Sequence, residues 1–132
     1  MGNTFILIKH DGTEIETPFI IINGKKHFSL HFSEEELNRD HLDKPKMAEA
    51  TLLIMEAARE EVGPYTGLSG CRSLVSQSNL YNKDLADHGG KPSGKVANPK
   101  TAPHVYGFAA DCSIPAGMNA ERWQGILRRQ SI

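Results

Sequence analysis

Hydrophobic and polar positions alternate along this chain only in short bursts, and the first lies in TFILIKHDGTEIETPFIIINGKKHFSL. Asp11-Gly12 and Asn23-Gly24 interrupt two β-rich runs there. Such pairs enter the positive-φ positions of tight turns with little strain, so the pattern predicts an antiparallel β meander over residues 1–27. At FSEEEL, Ser33 can cap a helix, Glu36 can complete the capping box, and Phe32 with Leu37 can form a hydrophobic staple. A short helix is expected to start there. Met47, Ala50, Ile54, Ala58 and Val62 then recur at helical spacing, which predicts a helix from about Lys46 to Val62, stopped by Gly63-Pro64.

The next segment, YTGLSGCRSLVSQ, reads as a short strand turning into a polar loop. From Asn79 to Pro103 the chain is rich in Gly, Lys, Asn and Pro and has little periodicity. It reads as one long loop, either mobile or lining a site. GFAADCSIP reads as a mostly buried strand, and Asn119 caps a final helix, AERWQGILRRQ, whose closing Arg128 and Arg129 suit the negative end of its dipole. The expected architecture is one α+β domain over 1–132, a small antiparallel sheet flanked by helices.

Composition narrows the partners. Hydrophobic residues make up 39% and charged residues 23%, with a formal net charge of -1. That balance suggests neither a nucleic-acid footprint nor an acidic solvating tail. No apolar run approaches the roughly 20 residues that cross a bilayer, so no membrane partner is expected. Two cysteines, Cys71 and Cys112, are too few for a disulfide scaffold, and the opening MGNTFILIKHDG has no signal-peptide pattern. A product made in a reducing cytoplasm is expected.

The candidate chemistry centres on TAPHVYGFAADCSIP. His104 and Asp111 offer an imidazole nitrogen and a carboxylate oxygen, ordinary ligands of zinc, with Gly107 between them to permit an unusual backbone turn and Ala109 to allow close packing. Taken alone, the spacing favours the plainer reading, a loop histidine and a strand-end carboxylate, over a metal site. A catalytic zinc takes three protein ligands and leaves a position for water, whose pKa falls to about 7.

The run His104-Val105-Tyr106-Gly107-Phe108-Ala109-Ala110-Asp111 fits an H-x-x-G-x-A-x-D pattern and resembles that of zinc D-alanyl-D-alanine carboxypeptidases and related phage endolysins. HFSEEELNRD resembles the opening segment of that family, and LSGCRSL its S-G-x-R-S strand, so the likeness runs from about Phe28 to Ile126. The resemblance implies a hedgehog/DD-peptidase-like fold and a zinc cofactor held by His104 and Asp111. It makes Arg72 the positive group beside the scissile carbonyl, where a guanidinium stabilises an oxyanion; the plainer reading of Arg72 is a surface salt bridge. Ser69 would shape the substrate-binding strand end, although small residues there also suit packing. The implied reaction is amide hydrolysis in the peptide stems of bacterial peptidoglycan, at a bond involving D-alanine. A phage product, released on lysis or carried in the virion, fits the missing leader.

The sequence departs from the family in two places. Ala102 stands where a Ser or Thr is usual. The family's last strand, with an acidic general base, a Trp and the third ligand, a histidine, has no counterpart before Ile132. Trp123 is followed by Gln124 in a helical segment, so neither Glu121 nor Gln124 inherits a role. A third ligand would come from His10, His27, His31, His41 or His88, from a partner chain, or not at all; His88, in the long loop, is the least implausible of these, although a solvated loop histidine is the plainer reading. No acid among Asp84, Asp87 and Glu121 is positioned as a base. These gaps favour an alternative function, an inactive or incomplete peptidase-like module with a structural or binding role among other phage structural proteins. Cys71 and Cys112 neighbour residues expected to face the metal, so they should point away as buried thiols.

Overall fold

The computed structural model describes residues 3–130. Strand β1 (Thr4–Ile8) pairs antiparallel with β2 (Glu14–Pro18), with Leu7 opposite Ile15. Pro18 offers no N–H to extend this ladder. The chain turns at Phe19, whose ring packs 5.2 Å from Phe5 and 5.4 Å from Phe28 between centroids. A second hairpin follows, β3 (Ile20–Ile22) with β4 (Lys25–His27), its two-residue turn formed by Asn23 (φ 51) and Gly24 (φ 77) as the sequence predicts. The two hairpins lie in separate sheets and are not one meander.

Helix α1 (Glu34–Leu37) is a single turn, and both halves of the capping box are present. Phe32 and Leu37 are fully buried on either side of it. It ends where buried Asn38 brackets Leu42, accepting from its N–H at 2.9 Å and donating to its carbonyl at 3.0 Å.

The helix expected from Lys46 begins later. Lys46–Ala48 is strand β5, parallel to β1 with Met47 opposite Leu7, so the first sheet is mixed, in the order β2-β1-β5. Ala48 is then tied to the Gly107 carbonyl at 2.7 Å. Helix α2 (Glu49–Val62) buries Leu52, Met55 and Ala58, while Ala50 faces solvent, and Gly63 caps its end as expected. Opposite lies α5 (Ala120–Gln130), which contributes Trp123 and Ile126 to the core, and whose Arg122 N–H is capped by Asn119 at 2.8 Å. Tyr65 joins the two halves of the core, 4.8 Å from the Trp123 ring and 5.5 Å from Phe32, with its hydroxyl donating to the Met55 carbonyl.

Beyond β6 (Gly67–Ser69) the expected polar loop is instead helix α3 (Leu74–Asp87), capped by Ser73. Its buried residues are polar. Gln77 donates to the Ala97 carbonyl at 2.8 Å, and Asp84 accepts from the Ser93 hydroxyl at 2.6 Å and the Ser93 N–H at 3.0 Å. The irregular segment is thereby shortened to residues 88–102 and clamped onto α3. The strand expected over GFAADCSIP shrinks to β7 (Asp111–Cys112), antiparallel to β6, and His104 before it belongs to a helical turn, α4 (Pro103–Tyr106). The architecture is α+β. Among the described residues, no helix is long and apolar enough to cross a membrane.

Candidate active site

Three backbone connections bring the candidate side chains together. Ser69 of β6 stands opposite Asp111 of β7. After β6, the Arg72 N–H donates to the His104 carbonyl at 3.1 Å. The His104 ring in turn meets the Gly70 carbonyl through Nδ1 at 2.8 Å. Turn α4 starts with Pro103 and stops at Gly107, whose left-handed conformation (φ 84, ψ 14) closes the cap. A Cβ at Gly107 would lie 2.9 Å from the Lys46 carbonyl oxygen, so this position needs glycine for both its angles and its space.

The Gly70 carbonyl can only accept, so Nδ1 of His104 carries the proton and the neutral ring keeps its lone pair on Nε2. That atom faces Asp111 Oδ1 at 3.5 Å. The separation is long for a hydrogen bond, and with the ring in its neutral form the two facing atoms are both acceptors, which repel unless a cation or proton lies between them. Two zinc ligands at about 2.0 to 2.2 Å in tetrahedral array stand about 3.3 to 3.5 Å apart, so the pair fits two positions of such a set. A backbone carbonyl orienting the far nitrogen of a histidine is also the usual outer support of a metal ligand. Among the described residues, no group of three or more His, Cys, Asp and Glu side chains is arranged to hold a metal ion.

Arg72 is braced from two sides. One Nη donates to Gln77 Oε1 at 2.8 Å, and the other lies 3.5 Å from Asp111 Oδ2. Its side chain and that of His104 are 18% and 16% exposed, against 57% for Asp111, so the carboxylate forms the open side of the cluster. Arg72, Gln77, Lys95, Ala102, His104 and Asp111 line a recess of about 310 Å3. The two largest hollows, of about 670 and 610 Å3, contain none of these residues, while one of about 480 Å3 includes Asp111 and one of about 460 Å3 includes Arg72.

Of the sequence-chosen residues, His104, Asp111 and Arg72 converge, while Ser69 lines the adjoining recess beyond Arg72. The histidines considered as a third ligand do not line the recess. His88 Nδ1 contacts the Asp84 carbonyl at 2.8 Å, and His31 Nε2 lies 3.0 Å from Glu60. Asp84 serves Ser93, and neither Asp87 nor Glu121 reaches the recess. Burial pushes both thiols up to about 11, helped at Cys112 by the adjacent Asp111 charge, so both stay protonated at neutral pH. Cys71 donates to the Leu37 carbonyl at 3.1 Å. Gln77, Lys95 and the Gly70 carbonyl escaped the sequence reading; their one legible signal was the Ser73 cap, which starts the helix that carries Gln77.

No family model, curated protein sequence or solved structure matches this chain.

Proposed function

We propose that the chain is a zinc-dependent hydrolase of amide bonds in the peptide stems of bacterial peptidoglycan, built on a hedgehog/DD-peptidase-like variant of the α+β fold. The observation that carries this reading is the His104 Nε2 lone pair facing an Asp111 carboxylate oxygen at 3.5 Å, a pair of acceptors that either a proton or a shared metal cation can join and whose spacing suits two zinc ligands. When held by His104 and Asp111, zinc supplies Lewis acidity and water of lowered pKa at neutral pH.

The rest falls to the chain's own groups. The Gly70 carbonyl holds His104 in the tautomer whose Nε2 is free to bind. Arg72 reaches the recess as a preorganised guanidinium, since Gln77 and Asp111 restrict it before substrate arrives. It is placed to stabilise negative charge developing on a substrate carbonyl oxygen. Gln77, by also holding the Ala97 carbonyl, fixes segment 88–102 as the opposite wall.

One observation favours the second reading, an inactive module with a structural or binding role in a phage particle. Arg72 already faces Asp111 at 3.5 Å and partly neutralises it. Zinc per chain after dialysis, together with release of new amino groups from purified peptidoglycan, separates the readings. One zinc per chain and hydrolysis support the enzyme. A folded chain that retains no zinc and cleaves nothing overturns it in favour of the module.

A further inference from the structure

Two recesses meet at Arg72. The first holds His104 and Asp111, with Lys95 in its wall. The second, about 460 Å3, lies between β6 and α3, where Arg39, Asp40, Ser69, Ser76 and Lys83 surround it. Arg72 and Leu80 belong to both, so the hollows adjoin at these two side chains. Each volume lies within the range of about 300 to 1,000 Å3 typical of ligand sites.

The charges along this path do not cancel. Arg39, Arg72, Lys83 and Lys95 line it, against two carboxylates, Asp40 and Asp111. Both carboxylates are engaged within the protein. Asp40 accepts from the Ser73 N–H at 2.6 Å, and Asp111 faces Arg72 and His104. Burial opposes ionisation of Asp40 most strongly, yet the Ser73 N–H, the Ser76 and Ser73 hydroxyls and the Arg72 charge together hold its carboxyl below the usual range. Lys95 is partly offset by the charge of Asp84, but among the described residues no carboxylate lies within ion-pairing distance of Arg39 or Lys83. A concave surface with surplus charge of one sign concentrates ligands of the other sign. Leu80, 44% exposed at the junction, offers an apolar step between the two positive ends.

We infer that the two recesses form one groove for an acidic peptide, in which Arg39 and Lys83 select a carboxylate-bearing residue next to the bond held at His104. Placement of the bond rests on the hydrolase reading; recognition of the carboxylate does not. Arg72 serves both halves, and Leu80 packs against the aliphatic part of the ligand between them.

The test uses the full chain and two synthetic tetrapeptides that differ only in one side chain, a free carboxylate or its amide. Affinity is measured by calorimetry at low and high salt, and cleavage by chromatography. The free acid is expected to bind about fivefold tighter, the size of one exposed ion pair, with the preference shrinking as salt rises. Arg39→Gln with Lys83→Gln should abolish the preference. Both side chains are exposed, so the fold is retained, and a circular dichroism spectrum checks this. Lys25→Gln, on the β3–β4 hairpin outside both recesses, should keep the preference. Equal binding of the two peptides by the wild type, or full preference in the double variant, overturns the inference even if peptidoglycan is cleaved. Carboxylate-dependent binding without any cleavage leaves the groove standing and removes the hydrolase.

Discussion

Replacing Gly107 by Ala should destabilise the protein and disturb His104 together, through one methyl group. Gly107 has φ 84, a region that costs an L-residue about 1 kcal/mol. The added Cβ would lie 2.9 Å from the Lys46 carbonyl oxygen and 3.0 Å from its carbon, both backbone atoms of β5 that cannot rotate away. Relieving such overpacking costs about 1 to 3 kcal/mol more, for a total of about 2 to 4 kcal/mol. Unfolding entropy of about 2.1 cal/mol/K per residue gives about 0.28 kcal/mol/K for a chain of 132 residues. The melting temperature should therefore fall by about 7 to 14 °C. Scanning calorimetry checks this beside Gly125→Ala, on the exposed side of α5 with no heavy atom within 4 Å, which should gain about 2 to 4 °C from better helix propensity. A Gly107→Ala melting temperature within about 2 °C of wild type would refute the argument that β5 and α4 touch through this residue.

Arg72→Lys keeps a charge but loses the planar fork that meets Gln77 and Asp111; in the proposed hydrolase it should leave metal content unchanged and lower kcat about 100-fold, and an unchanged kcat would dismiss the oxyanion role. Glu36→Ala should destabilise more than Ser33→Ala, because Glu36 serves both the Ser33 N–H and, at 2.8 Å, the Gly67 N–H of β6. Denaturant titration should show about 1 kcal/mol for Ser33 and about 2 to 3 kcal/mol for Glu36, and equal values would mean that the bridge to β6 contributes nothing. The Ser93 hydroxyl, then the Ser93 N–H, hold the Asp84 carboxyl below its ordinary 3.8. Its stabilising effect is therefore complete above that value and is lost as pH falls through the lower folded value. The urea midpoint of wild type should exceed that of Asp84→Asn at about pH 7, and the gap should narrow at about pH 3; a gap that stays constant contradicts the assignment.

The parts of the fold legible in the sequence are those whose cause is local. The Ser33–Glu36 box, the Asn119 cap and the Asn23-Gly24 turn each need only a few adjacent residues, and each forms where expected. Strand β5 was not legible because Lys46–Ala48 is extended by virtue of β1, far earlier in the chain, and of Gly107, far later. Helix α3 escaped for a different reason. Hydrophobic periodicity seeks apolar residues turned inward, whereas Leu74, Val75 and Leu80 are 56%, 70% and 44% exposed and the buried positions are Gln77 and Asp84. The partners of those two residues lie in segment 88–102, which has no pattern of its own.

The same division runs through the site. The spacing of His104 and Asp111 was readable, as was Arg72, because those side chains stand in short motifs. The parts that orient them were not, since two are backbone carbonyls, of Gly70 and His104, and a carbonyl has no letter in the sequence. Gln77 was hidden with its helix, although it joins Arg72 to the wall at Ala97 and so couples the guanidinium to the segment that closes the recess. The Ala48–Gly107 hydrogen bond completes the circuit, tying turn α4 to the first sheet. A side chain outside the recess can therefore alter the His104–Asp111 separation if it moves β5 or Gly70. Met47, fully buried on that strand, does both, because its Cε lies where a Cβ on Gly70 would fall and the Gly70 carbonyl holds the imidazole, so a purely apolar change there would be felt at His104.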